Sequence, residues 1–209
     1  MKNFLIADDH PSVRKGVKQI ISHEFSEVSF EEASSGSEVL KKAGEKKWDM
    51  IILDMDMPGR NGLEVLQQLK SDNSKIPVLM YSMHAEEQIA IRALRLGAFG
   101  YLSKTTADSE LGDAIRAIMS GRKYITSSLA ELLASQIENP GNKAPHELLS
   151  DREYQTLLLF AKGRTVSEIA DELSLSVHTI STYRARILGK MEMKTNAEFV
   201  SYAIKNNLV

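Results

Sequence analysis

Apolar residues in the first half of the chain form two alternating kinds of run. Short unbroken ones, Phe4-Leu5-Ile6-Ala7, Met50-Ile51-Ile52-Leu53 and Pro77-Val78-Leu79-Met80-Tyr81, suit strands buried on both faces. Between them apolar positions recur at helical spacing: Val13, Val17, Ile20 and Ile21; Val39, Leu40 and Ala43; Leu63, Leu66 and Leu69; Ile89, Ala93, Leu94 and Leu96; Leu111, Ala114, Ile115 and Ile118. Strand and helix alternate five times, which predicts an α/β domain with a doubly wound, five-stranded parallel sheet. Open sheets of that class bind ligands beyond the carboxyl ends of their strands, where the strand order reverses. Asp8-Asp9, Asp54, Ser82 and Lys104 stand at the ends of such runs. They are expected to converge on one rim.

The pattern then changes. Gly121-Arg122-Lys123-Tyr124-Ile125 leads into a helical stretch from Ser127 to Ile137, followed by Glu138-Asn139-Pro140-Gly141-Asn142-Lys143-Ala144-Pro145. Two prolines, a glycine and polar residues without an apolar period read as a linker. Beyond it only helical signals remain. Ser150-x-x-Glu153, Thr165-x-x-Glu168 and Thr195-x-x-Glu198 match the capping box, in which a hydroxyl and a carboxylate satisfy free N–H groups at a helix start. A fourth helix, Val177 to Met191, follows Val166 to Leu173 across a tight Ser174-Leu175 turn, with Ser176 as its N-cap. The predicted organisation is residues 1–121 as one α/β domain, 122–147 as a linker containing a helix, and 148–209 as a small four-helix domain.

Composition narrows the classes. The 209 residues suffice for one large domain or two small ones, and the absence of cysteine excludes disulfides and thiolate metal sites. No apolar stretch reaches the roughly 20 residues of a membrane span, and Met-Lys-Asn-Phe leads straight into a strand. A cytoplasmic protein with no membrane partner is the expectation. Residues 1–138 carry 17 Lys and Arg against 20 Asp and Glu, and residues 139–209 carry 9 against 8, together the formal charge of −2. The helical part is therefore not basic enough to hold a polyanion by net charge alone.

Asp8, Asp9 and Asp54 in one place would repel one another unless a hard cation lay among them, and Mg²⁺ takes oxygen ligands of this kind. A shielded Asp54 could attack phosphorus to form an aspartyl phosphate. Ser82 could hydrogen-bond one phosphoryl oxygen, and Lys104 could place a positive charge on another. The bland alternative makes Asp8 and Asp9 helix caps, Ser82 a turn residue and Lys104 a solvated side chain. It asks for coincidence at every strand but the second.

Over about residues 1–120 the chain resembles the receiver domain of bacterial response regulators, a flavodoxin-like fold. The motifs that carry the resemblance are Asp8-Asp9, Asp54-x-x-Met57-Pro58-x-x-x-Gly62, Ser82, Tyr101 and Lys104. It implies that Asp54 accepts a phosphoryl group from a histidine kinase or a small phosphodonor. It also implies that Asp9, Asp54 and the backbone carbonyl of Asp56 hold Mg²⁺, with Asp8 in support, and that Ser82 and Tyr101 form the switch pair. Tyr101 as plain core packing stays open. Many relatives place proline after the lysine with a cis peptide, but this chain has Lys104-Thr105. A cis bond without proline costs about 3 to 4 kcal/mol, which weighs against one here. Asp56 and His84 lie two positions beyond the acceptor and the switch hydroxyl, where each could orient or repel an attacking water.

In Val177–Met191 the positions Val177, Ile180, Ile187, Leu188 and Met191 share an apolar face, while His178, Ser181, Thr182, Ala185 and Arg186 lie largely opposite. From Ser176 to Lys190 there are Arg184, Arg186 and Lys190 and no acid. Such a helix after a tight turn has the profile of a recognition helix. Residues 148–209 resemble the LuxR-type helix-turn-helix domain through Leu149-Ser150-x-Arg152-Glu153, Ala161-x-Gly163, Glu168-Ile169-Ala170-x-x-Leu173-x-Leu175-Ser176, Thr179-Ile180, Ile187 and Lys190-Met191. The resemblance implies base contacts from Ser181, Thr182 and Ala185 and phosphate contacts from Thr179, Arg184, Arg186 and Lys190. The family's usual lysine is Ser181 here, so specific affinity should lean on a homodimer. Phe199, Val200, Ala203 and Ile204 are the candidate dimer face, or else core.

The two resemblances together are those of the NarL/FixJ group: a phosphorylation-controlled, promoter-binding transcription regulator and not an enzyme. Two other classes share part of the pattern. Asp54-x-Asp56 is similar to the nucleophile motif of haloacid-dehalogenase-like phosphotransferases, although that motif normally sits on the first strand. A phosphorylation-gated module whose helical part binds protein is the third.

Overall fold

Parallel strands β1 (Lys2–Ala7), β2 (Val28–Ala33), β3 (Met50–Leu53), β4 (Val78–Ser82) and β5 (Gly100–Ser103) form one sheet in the order β2-β1-β3-β4-β5. The computed structural model describes residues 1–72, 74–83, 87–105, 108–138, 144–206 and 208–209. Helices α1 (Pro11–Glu24), α2 (Gly36–Ala43), α3 (Gly62–Ser71), α4 (Glu87–Arg95) and α5 (Asp108–Met119) follow the strands in turn. The order reverses at β1, which has β2 on one side and β3 on the other. The ends of β1 and β3 therefore flank the switch point, as the alternation predicts.

Burial explains the runs. All four residues of β3 and all five of β4 are buried, whereas β2, at the sheet edge, is only partly covered until Ala33. On one face Phe4, Ile6, Ile52 and Leu79 pack with Val17 and Ile21 of α1 and with Leu111, Ile115 and Ile118 of α5. Register fixes the rim: Ala7 pairs with Leu53 and Leu53 with Met80, while Ser82 pairs with Ser103. The residues that follow these pairs are thus carried to the same edge.

The chain divides into two compact units, Met1–Gln136 and Ile137–Val209, a division that falls inside α6 (Ser127–Glu138). Most of this helix, read from sequence as part of the linker, therefore groups with the first unit. The second unit begins with an unexpected 3₁₀ turn, Pro145–Leu148, then α7 (Asp151–Ala161), α8 (Val166–Glu172), α9 (Val177–Lys190) and α10 (Asn196–Lys205). Leu157, Phe160, Ile169, Ile180, Ile187, Phe199 and Ala203 are among its buried apolar residues. The Phe160 and Phe199 rings lie 5.8 Å apart.

Two of the predicted capping boxes close from both sides. Ser150 N–H donates to Glu153 at 2.8 Å and Thr165 N–H to Glu168 at 2.7 Å, with the return bonds in place. At α10 the box is present as well: Glu198 accepts from the Thr195 amide and hydroxyl, and its own N–H also lies 3.2 Å from the Thr195 carbonyl. Ser176 caps α9 by accepting from Thr179 N–H at 3.0 Å.

The turn between α8 and α9 is a Schellman motif: Leu175 N–H donates to the Ala170 carbonyl and Ser174 N–H to the Asp171 carbonyl. Ser174 has a φ of 53°, a left-handed conformation that glycine adopts without a Cβ penalty. Ser174→Gly should therefore stabilise the helical unit by about 0.5–1 kcal/mol. Urea denaturation of the full chain checks this, and an unchanged or lowered midpoint contradicts it.

Candidate functional site

Backbone geometry sets the site. Asp8 N–H donates to the Ala33 carbonyl and Asp54 N–H to the Ala7 carbonyl, so each acid is fixed one residue past its strand by a bond to the neighbouring strand. Lys104 is held likewise, its N–H donating to the Ser82 carbonyl at 2.7 Å. Its Nζ then lies 2.6 Å from Asp8 Oδ2 and 2.9 Å from Asp54 Oδ1. Lysine and both acids are almost wholly buried, at 7% and 3% side-chain exposure. Asp8, Asp54 and Lys104, three of the residues expected to converge on sequence grounds, are joined through one ammonium group.

Two further bonds to these acids are local. Asp8 Oδ1 accepts from His10 N–H and Asp54 Oδ1 from Met55 N–H, both at 2.8 Å. Asp8 therefore does not act as the helix cap that the bland reading made of it: His10 is the N-cap residue of α1, with no side-chain cap bond. Arg14, a residue the sequence reasoning missed, donates Nη1–H to the Asp8 carbonyl at 2.7 Å and Nε–H to Glu32 at 2.6 Å. It ties the acidic end of β1 to the edge strand. Nothing in its spacing distinguishes it from any first-turn arginine.

Burial pushes the Asp54 carboxyl up to about 6, against the Lys104 charge and hydrogen bond that pull it down; the Asp8 and Asp56 charges raise it further. For Lys104, burial lowers the affinity for its proton, but the Asp54 charge and the Asp8 hydrogen bond outweigh it and the net shift is upward. Asp54 is more enclosed than a rim position suggests, with 3% exposed.

A carboxyl raised in the folded state loses stability to ionisation above its folded pKa, and this cost vanishes below the unfolded value of 3.8. Asp54→Asn should accordingly stabilise the fold by about 2 kcal/mol above pH 6 in chelator, with the gain fading toward pH 4. Paired urea titrations at the two pH values measure it. An equal gain at both would contradict the burial argument.

Ser82, wholly buried, and Tyr101, 4% exposed, end β4 and lie within β5 respectively. Asp56 is exposed on the loop after β3. His84 lies outside the described residues. Peptide bonds of the described residues, Lys104–Thr105 included, are trans.

The oxygen donors suit a divalent cation. Asp8, Asp9 and His10 offer donor atoms within 4.8 Å of one another, and Asp9 Oδ1 is buried without a hydrogen-bond partner. Three carboxylates against one ammonium also leave a formal deficit of two positive charges. An orphaned buried carboxylate oxygen is costly unless a cation satisfies it.

On α9, Ser181, Ala185 and Arg186 are exposed, and Thr179, Thr182 and Arg184 are partly so. Two of the expected phosphate contacts have partners within the unit. Arg184 Nε–H donates to Asn196 at 2.6 Å, and Lys190 Nζ lies 2.6 Å from Glu153, whose carboxylate is 3% exposed. Burial alone would raise the Glu153 pKa, but the Lys190 and Ser150 hydrogen bonds dominate and hold it low. Val177, assigned to the apolar face, is 51% exposed because it stands at the first position of the helix. In α10 Phe199 and Ala203 are core, whereas Ile204 is 62% exposed and Val200 partly so.

Residues 4–116 match the response regulator receiver domain, and residues 147–203 match the bacterial regulatory proteins of the luxR family. The chain belongs to the DNA-binding response regulators of two-component systems, which regulate transcription. It is 35% identical over 209 residues to the response regulator UvrY of Escherichia coli (strain K12), covering all of this chain and 96% of that one. Identity to the response regulator GacA of Pseudomonas viridiflava is 35% over 210 residues, covering 100% and 98%. The structure of RcsB from Salmonella enterica serovar Typhimurium bound to promoter P1flhDC with the phosphomimetic BeF3− is similar at a TM-score of 0.65 and 26% identity, covering 96% of this chain and 97% of that one.

Proposed function

We propose that Asp54 accepts a phosphoryl group from a histidine kinase or a small phosphodonor, and that its loading controls dimerisation and promoter binding. In this reading residues 1–121 receive the phosphoryl group, 122–147 connect, and 148–209 read DNA, in the cytoplasm. No described helix is long and apolar enough to cross a membrane. The observation that carries the reading is the Lys104 ammonium set between Asp8 and Asp54. A nucleophilic carboxylate with a fixed cation beside it has what phosphoryl transfer needs: position, and charge where charge develops.

An Asp54 carboxylate oxygen attacks phosphorus while the bond from phosphorus to the donor breaks, its electron pair leaving with the donor. Met55 N–H and Lys104 hold Oδ1, which leaves Oδ2 as the attacking atom. Lys104 follows the charge onto a phosphoryl oxygen, and the Ser82 hydroxyl donates to another. Tyr101 turns into the space that Ser82 vacates. Asp9, Asp54 and the Asp56 carbonyl would hold Mg²⁺, with Asp8 in support; when bound, it shields the acids and draws in the phosphoryl group. Asp56 and His84 tune the lifetime of the product by orienting or repelling water.

At the other end, Ser181, Thr182 and Ala185 face base edges while Thr179, Arg184, Arg186 and Lys190 hold phosphates. Because Arg184 and Lys190 are shared with Asn196 and Glu153, one module grips weakly. A homodimer doubles the contacts, and Val200 with Ile204 is the part of the α10 face left outside the core. Swinging such a switch from almost all off to almost all on takes about 5.5 kcal/mol of differential stabilisation.

Selection of bound sites from random DNA, with and without beryllofluoride and Mg²⁺, tests the reading. A two-fold symmetric site enriched far more strongly in the loaded state is expected. Failure to enrich any sequence in either state refutes it.

A further inference from the structure

The pocket at the end of β1 has a donor that is not oxygen. His10 follows the two acids directly, with its amide bound to Asp8 Oδ1 at 2.8 Å, an extended backbone (φ −92°, ψ 112°), and Pro11 fixing the next φ. The residue is thus anchored on both sides. Its ring Nδ1 lies 2.6 Å from Asp9 Oδ1 and 3.4 Å from Asp8 Oδ1. Asp8, Asp9 and His10 each offer one donor atom, and those atoms lie within 4.8 Å of one another.

The short approach of His10 to Asp9 lacks hydrogen-bond geometry: Asp9 Oδ1 is buried and has no hydrogen-bond partner. A contact this short is an ion-pair contact, which a divalent cation ligated by both atoms would replace. The ring is 68% exposed, so its other nitrogen can stay in water while Nδ1 faces the pocket.

We propose that His10 is a specificity-determining ligand of the acidic pocket, adding an imidazole nitrogen that shifts its preference from Mg²⁺ toward first-row transition ions such as Mn²⁺ and Co²⁺. The inference rests on the reading of Asp9 and its neighbours as a divalent-cation site. Mg²⁺ keeps to oxygen and water and gains little from an imidazole, whereas affinity of a nitrogen-containing site rises from Mn²⁺ to Co²⁺. One side chain therefore changes the ratio of affinities more than their common level. Loading of the phosphoryl acceptor would then respond to transition-ion supply as well as to the kinase.

The test uses the full chain and the metals alone, with no phosphoryl transfer. Calorimetric titrations with Mg²⁺, Mn²⁺ and Co²⁺ are compared for the intact chain, His10→Asn and Asp9→Asn, together with Co²⁺ visible absorption and Mn²⁺ broadening of the His10 ring resonances. In His10→Asn, Co²⁺ affinity should fall by about tenfold and Mn²⁺ by less, with Mg²⁺ changed less than about twofold. The His10 resonances should broaden selectively in the intact chain, and Asp9→Asn should lose the site for all three ions. Equal losses for Mg²⁺ and Co²⁺, or no loss for either, overturn the role of His10 while leaving the cation site standing. Absence of Mg²⁺ binding to the intact chain, or binding that survives Asp9→Asn, removes the site and the inference with it.

Discussion

Asp54→Asn abolishes phosphoryl incorporation: incubated with a radiolabelled acyl phosphate or a phosphorylated kinase and Mg²⁺, the variant should retain only background label. The amide keeps the oxygen that accepts from Met55 N–H, so the loop after β3 is preserved and the loss cannot be laid to unfolding. What disappears is the second carboxylate oxygen, the one free to form a bond to phosphorus. The same variant should be the more stable protein above pH 6, since it no longer carries a buried carboxyl that burial has pushed up to about 6. Greater stability with lost chemistry is the signature of a strained functional group. Stoichiometric label on Asp54→Asn would move the acceptor elsewhere and dismantle the proposed function.

Gly62→Ala should be the most damaging small substitution at the site. A Cβ there would lie 2.3 Å from the Asp54 carbonyl oxygen, 2.9 Å from Met80 Cε and 3.0 Å from Met55 Cα. Two of these three atoms are backbone, on the acceptor and its neighbour, and Gly62 N–H is itself bonded to the Met55 carbonyl at 2.9 Å. Overpacking usually costs 1–3 kcal/mol, and with backbone as the obstacle about 3 kcal/mol is expected. The same displacement moves Asp54 relative to Lys104, so the initial rate of phosphorylation should drop by about 100-fold, as a misplacement near 1 Å does. Denaturant midpoint and labelling rate together check this. A variant normal in both would mean that the loop after β3 does not set the acceptor's position.

How much could be read from the chain differs by element. The strands β3 and β4 were legible because residues buried on both faces must be apolar without interruption, and their ends then announce where Asp54 and Ser82 stand. Edge strand β2 carries Glu31 and Glu32 and gave only an implied place in the alternation. Helix starts with paired caps were legible from three or four residues, since the bonds at Ser150 and Thr165 are local. What pattern could not supply is the identity of partners distant in sequence. Lys190 reads as a phosphate contact until Glu153 is found beside it, and Arg14 reads as an ordinary helix residue until its bonds to Asp8 and Glu32 are seen. The Asp54 contact with Lys104, which follows a different strand, is likewise a partnership between positions far apart in sequence. His10 is marked in the sequence only by its adjacency to the acidic pair.

The Glu153–Lys190 pair fastens the tail of α9 to the start of α7, while Ser176 fixes its head. Between these two anchors the exposed positions Ser181, Ala185 and Arg186 carry no described tie to another helix. Under the proposed reading of α9, operator preference can be rewritten in that interval without disturbing the scaffold, which makes the helix a natural cassette for building orthogonal regulators.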